Sequence, residues 1–301
     1  MTYSTQSRHG LSLVPEMAYG VTPVSPAMTR LRHTGCDLAL TKTTIESDEI
    51  REDRQISHLI PGQHSARGDV EFELNYGGVD DLLAAVCYSD WSANILKTGT
   101  DQSSFTFERA FNDIGQYQHF TGCVMDEMTL SLQPQSLVTG RFSVRGKSMT
   151  QTDSPLDASI DAGSTNRPMD SYTGALKEGG FSLALVAGLD LKIENGAEQV
   201  FVLGEETANG SIAGRSRVSG ELTAYFEDAA LINKFIDKTN SSLEVSLSGE
   251  GGSYDILLPN ILYTGADAPV RGDKVVTLSL PFVALYDAAE ATNIKITRTA
   301  A

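Results

Sequence analysis

Three acidic doublets are the residues best suited to proton-transfer chemistry in this chain: Asp80 with Asp81, Asp126 with Glu127, and Glu205 with Glu206. A glycosidase needs two carboxylates held across a cleft, about 5–10 Å apart. Adjacent residues on a strand point to opposite faces, so Asp126 and Glu127 cannot supply that pair by themselves. With 39 Asp and Glu, doublets arise by chance. The five histidines are His9, His33, His58, His64 and His119, and no HExxH occurs. His58 and His64 stand in a polar stretch that suits solvated side chains. His119, between Gln118 and Phe120, suits a hydrogen-bonded structural role. Cys36, Cys87 and Cys123 lie far apart with no CxxC, which indicates neither a disulfide framework nor a zinc site. Cys87, beside Val86 and close to Leu83 and Ala84, reads as a buried small apolar group.

The remaining motifs are equally thin. GxSxG, a P-loop and a dinucleotide fingerprint are lacking. GEGGSYD at 249–255 reads as a hairpin turn between strands, and the RGD triplet at 67–69 runs into a strand. Trp91 is the only tryptophan, so an aromatic platform for sugars is poorly supplied. The expectation is a protein with no catalytic, cofactor-binding or metal-ligating residues and no cofactor: not an enzyme.

What must then be positioned is surface. The chain has 301 residues, 41% hydrophobic and 21% charged, an ordinary globular mixture that allows one large domain or two of ordinary size. The formal net charge of −16 argues against tight binding to nucleic acid or an anionic membrane. No apolar run approaches the roughly 20 residues of a membrane span. The first residues lack the basic start and apolar stretch of a signal peptide, and three scattered thiols fit a reducing cytoplasm.

Residues 1–30 are polar and carry Pro15, Pro23 and Pro26, which predicts an extended arm. Residues 35–45 read as a strand. Residues 47–67 are charged, broken by Pro61 and Gly62, and read as the tip of a long hairpin. The hairpin returns as DVEFELNY, where Val70, Phe72 and Leu74 alternate with Asp69, Glu71 and Glu73. This period of two puts the apolar set on one sheet face and the acids on the other. VDDLLAAVCYS at 79–89 then reads as a short helix, and three strands follow up to residue 150. Residues 151–174, rich in Ser, Asp, Thr, Gly and Pro, read as a linker or an exposed loop.

The order then repeats. GLDLKI at 188–193 echoes GCDLAL at 35–40. A second polar tip covers 203–217. VSGELTAYF returns with Leu222, Ala224 and Phe226 opposite Glu221, Thr223 and Tyr225, and DAALINKFIDK at 228–238 reads as a second short helix. SSLEVSLSG, SYDILLPNILYTGAD and KVVTLSLPFVALYD close the chain as strands. SSFTFERAF and SSLEVSLSG take matching places, as do GRFSVRG and KVVTLSLPF. The expected fold is mainly β: a 1–30 arm, a first unit over 31–150, the linker or loop at 151–174, and a second unit over 175–301. Each unit holds antiparallel sheets with one helix.

The runs from Ser47 to Trp91 and from Val218 to Asp287 resemble the tail tube proteins of long-tailed bacteriophages, and the likeness extends over roughly residues 28–298. The resemblance implies two packed antiparallel sheets with a flanking helix. It also implies long hairpins that join around a ring into an inner β-barrel, and rings stacked into a hollow tube for DNA. Its implied partners are the chain itself in rings and stacked rings, with tape measure, tail terminator and tail tip proteins. DNA passes without tight binding, and no membrane is involved. The implied location is the virion tail, assembled in the host bacterial cytoplasm. If both halves are tube units, three chains complete a pseudo-hexameric ring; a hexamer of unduplicated units is the alternative.

On this reading Asp69, Glu71, Glu73 and Glu221 face the lumen, where an acidic wall repels phosphate; an ordinary solvated outer face is the alternative. The tips contact the neighbouring ring through Arg51, Asp53, Arg54, His58, Glu205, Glu206 and Arg215, or else remain surface loops. The arm orders on assembly. A competing reading from a different class is a β-rich carbohydrate-binding or adhesive module of a phage tail or cell surface.

Overall fold

The structure is a computed structural model and describes residues 3–183, 185–270 and 275–301. Met1 and Thr2 of the expected arm, Ala184 in an expected strand, and Lys274 at the start of the last one lie outside the described residues. The first half runs β1 (His9–Pro15), β2 (Thr29–Arg30), β3 (Gly35–Cys36), β4 (Ala39–Glu46) and β5 (Leu59–Glu73). Helix α1 (Asp80–Cys87) follows, then β6 (Ile95–Lys97), β7 (Phe105–Phe111), β8 (Gln116–Leu132), β9 (Thr139–Gly146) and β10 (Ser148–Thr152). The second half runs β11 (Ala175–Glu178), β12 (Phe181–Ser182), β13 (Val186–Glu194), β14 (Glu198–Val200), β15 (Gly210–Ile212) and β16 (Arg217–Tyr225). Helix α2 (Ala230–Ile236) precedes β17 (Ser241–Gly249), β18 (Gly252–Tyr263), β19 (Thr277–Ala284) and β20 (Lys295–Ala300). The protein is mainly β, as the alternating runs predict.

A central antiparallel sheet is ordered β4–β5–β9–β8–β13–β16–β19. Alternation gives it one apolar face. Val70, Phe72, Phe142, Val144, Leu130, Leu191, Val218, Leu222, Leu280 and Phe282 are all buried on that face. Phe72 and Phe142, from adjacent strands, stack with centroids 4.7 Å apart. Two cross-strand positions keep glycine because a ring lies there. A Cβ on Gly140 would come within 2.4 Å of the Phe72 ring, and one on Gly220 within 2.6 Å of the Phe282 ring.

Flanking strands complete the core. β2, β1, β7, β8 and β10 pair in that order, as do β11, β17, β18 and β20. β8 serves two pairings because its register shifts between Met125 and Glu127, a bulge that bends the strand. Its first part pairs with β7 and β10, its last part with β9 and β13. The buried side chains of all these strands form one hydrophobic cluster.

Pairings in the second half follow those of the first. β5 pairs with β9 and β16 with β19; β7 with β8 and β17 with β18; β1 with β7 and β11 with β17; β10 with β8 and β20 with β18. The halves nonetheless share one sheet, since β13 pairs with β8. No closed barrel forms among the described residues. The helices differ in depth. α1 buries Leu82, Leu83, Ala85, Val86 and Cys87, whereas α2 buries no residue fully.

Three segments depart from expectation. Residues 9–15 form β1, which pairs along its whole length with β7 and buries Leu11, Leu13 and Val14. That part of the 1–30 arm is therefore built into the monomer; Pro15 ends the strand rather than preventing it. The first tip is shorter than 47–67, because β5 already begins at Leu59. Residues 151–174 are mostly irregular but anchored: Met169 is buried, its N–H donates to Leu74 O, and its carbonyl accepts from Val138 N.

Candidate assembly surface

The polar face of the central sheet carries the acids singled out by alternation. Asp69 is half-buried and accepts from Ser143 Oγ at 2.6 Å. Glu71 is exposed and Glu73 half-buried on the same strand face. Glu221 is exposed on β16 and accepts from Ser279 Oγ. Asp190 accepts from Ser131 Oγ at 2.6 Å. The sheet thus places Asp69, Glu71, Glu73 and Glu221 on one surface, although residues 69 and 221 are far apart in sequence.

That surface also holds cations the alternation did not reveal. Arg141 lies 3.3 Å from Asp69 and 3.4 Å from Glu127. Lys192 lies 2.9 Å from Glu127 and 2.8 Å from Glu194, and these carboxylates hold its ammonium pKa above the ordinary lysine value. Arg145 meets Asp126 at 2.6 Å. Pairs this exposed contribute little stability, about 0–1 kcal/mol each. Their larger effect is to leave few cations available to an approaching polyanion. Arg67 and Arg217 are exposed and form no ion pair among the described residues. Only cross-strand register reveals this ladder, which is why single-strand patterns missed it.

The two hairpin tips meet within the chain. His64 N donates to Glu206 O at 2.8 Å, and Thr43, Ile45 and Pro61 share a groove with residues 201–206, including Glu205. Beyond the groove β4 is exposed on both faces, so the hairpin leaves the body of the molecule. Arg51 binds Asp53 through two bonds, 3.0 and 2.8 Å, which hold the Asp53 carboxyl below its ordinary pKa. Arg54, His58 and Arg215 are exposed; the His58 carbonyl accepts from Ser47 N. None of these three joins the Glu206 contact. The tips also carry apolar side chains that charge counting overlooked. Ile50 and Leu203 are fully exposed, and Ile45, Ile56, Leu59, Ile60 and Ile212 largely so. These side chains put apolar surface in solvent on both tips.

The chemistry-bearing residues are engaged structurally. Asp80 binds Arg298 and the Tyr254 hydroxyl, which also accepts from Gly77 N at 2.9 Å. Arg298 stacks 4.4 Å over the Trp91 ring. His119 lies 3.1 Å from Glu108, a fully buried carboxylate that accepts from Leu156 N. Burial pushes the Cys87 thiol up to about 12. A cleft of about 340 Å³ between residues 132–135 and 171–176 is lined by no carboxylate, histidine, cysteine or cation; two larger grooves, of about 480 and 530 Å³, carry only Asp157 with Asp161 and Glu205 with Glu206 as charged lining residues. Among the described residues, no group of three or more His, Cys, Asp or Glu could hold a metal ion, and no helix is long and apolar enough to cross a membrane.

Comparison with known proteins gives one family: the sequence matches the family described as phage tail tube protein over residues 6–284. Among solved structures, the chain is similar to one from the cryo-EM structure of the anti-feeding prophage baseplate, 6-fold symmetrised. The likeness has 10% identity and a TM-score of 0.37, covering 50% of this chain and 97% of that one. No curated protein matches.

Proposed function

Because the chain belongs to the phage tail tube protein family, we propose that it is a structural subunit that assembles into stacked rings around a lumen for genome passage. It works without catalysis. Its partners are further copies of itself and, by family, the tape measure, terminator and tip proteins of the tail. It is assembled in the host cytoplasm and resides in the virion tail.

The observation that carries this reading is the central sheet, apolar on the core side and rich in acids on the other, where Arg141, Arg145 and Lys192 are held by carboxylates and Arg67 and Arg217 are not. Curled around a bore, its polar face would present Asp69, Glu71, Glu73 and Glu221 to DNA. Paired cations cannot condense on phosphate without losing their partners, so DNA would slide rather than stick. The exposed hairpin and apolar tips supply contact surface, with the tips reaching the neighbouring ring. The repeated pairings support a duplicated plan, one unit in 31–150 and the other in 175–301, joined by 151–174. Three chains would then make a pseudo-hexameric ring.

Electron microscopy and sedimentation of the purified protein test the reading. Hollow tubes or rings are the expected result. Discrete monomers at all concentrations, or binding to glycans instead, would contradict it.

A further inference from the structure

β8 and β13 join the two halves through six residue pairs, from Leu132 opposite Leu189 to Glu127 opposite Glu194, beside a shorter join of β6 to β20. The repeated pairings show where each of these residues has a counterpart. Cys36 faces Val70 as Leu189 faces Leu222, so residues 36–41 correspond to residues 189–194. Val124 faces Arg145 as Leu262 faces Val283, so residues 127–132 correspond to residues 265–270. An independent contact agrees: Thr129 faces Arg141, and its counterpart Asp267 bridges Ser279. The chain therefore carries both halves of its internal joint a second time. Neither copy is paired on its outer side among the described residues. Residues 36–41 pair only with β5, and residues 265–270 lie only along β19.

The free backbone groups are in phase. Asp37 N donates inward to Asp69 O, which leaves the N–H and C=O of Cys36, Leu38 and Leu40 directed outward. Asp267 exchanges both bonds with Ser279, which directs Ala266 and Ala268 outward. Pro269 has no N–H, but its position is an inward one, so it removes no outer donor. Leu38 is itself covered in the monomer: Arg109 Nη1 binds its carbonyl at 2.5 Å and its N–H meets the Cys36 thiol, so both contacts must give way when a neighbouring strand pairs there. The side chains agree as well. Leu38 and Leu40 lie toward the core, as do Ala266 and Ala268, while Ala39 and Asp267 are exposed.

We propose that residues 36–41 of one chain pair antiparallel with residues 265–270 of the next, Leu38 opposite Ala268 and Leu40 opposite Ala266. The partner is a second copy of this chain, and the proposal rests on the tube-subunit reading. The contact is head-to-tail, so it propagates around a ring or along a filament and satisfies two edges that would otherwise be open to aggregation.

Ala39 and Asp267 would form a non-hydrogen-bonded pair, with Cα atoms about 4.5 Å apart, within disulfide range. In a Cys36→Ala background, Ala39→Cys with Asp267→Cys should convert assembled protein under mild oxidation from monomer bands to dimers and higher species. Either cysteine alone should not. Amide exchange provides a second measurement that needs no substitution: residues 36–41 and 265–270 should slow on assembly. Assembled protein that neither cross-links nor slows there overturns the proposal. So does stronger linking of Ala39→Cys with Gly265→Cys, a shifted register. Wild-type protein that never assembles overturns both the proposal and the tube reading; assembly without the link overturns only the proposal.

Discussion

Leu191 stands opposite Leu130 in the pairing of β13 with β8, the longer of the two strand pairings that join the halves of the chain. Both side chains are buried, so the joint is part of the core. A polar replacement there would cost both the apolar contact and the desolvation of the new group. The core's sensitivity, the response of the polar face to DNA and the effect of the tips on assembly can each be measured.

Phe142→Ala should destabilise the monomer by about 3–5 kcal/mol, the usual cost of deleting a buried ring. Phe142 is fully buried and stacked on Phe72. Denaturant unfolding with an unchanged slope checks the value.

Glu127→Gln should leave Arg141 and Lys192 with one carboxylate partner each, Asp69 and Glu194. Assembled protein should then retain short duplex DNA more strongly at low salt, and added salt should abolish the retention. Filter binding across a salt series reads this out; unchanged retention would contradict the ladder's shielding role.

Ile56→Glu, at an exposed tip residue, should leave monomer stability within about 0.5 kcal/mol. It should nevertheless weaken assembly. Thermal melts of the monomer, compared with sedimentation of the assembled form, separate the two effects.

Acid should weaken the fold through His9. Burial first, then Arg109 and His33, lowers its pKa from 6.5 to about 4. Burial also lowers that of His33. The fold therefore favours the neutral rings. This stability is fully present above about pH 6.5 and declines as pH falls toward 4. His9→Gln should flatten the melting temperature between those limits.

Much of the fold was legible in local pattern. Alternation at Val70, Phe72 and Leu74 points to the buried face, and the echoing stretches GCDLAL and GLDLKI lie in strands that pair with β5 and β16. Other features depend on distant residues. β1 was hidden because the prolines of 1–30 read as punctuation, while the partner that buries Leu11 and Leu13 is β7. The double use of β8 needed its bulge, and the pairing of Lys192 with Glu127 needed the register between halves. The acids of the candidate surface were visible; the cations that offset them were not.

The most direct test of the tube reading is a cryo-electron reconstruction of the assembled protein. The expected map is a hollow tube with Asp69, Glu71, Glu73 and Glu221 lining the bore. A map with these carboxylates on the outer surface, or a particle with no central channel, would contradict it.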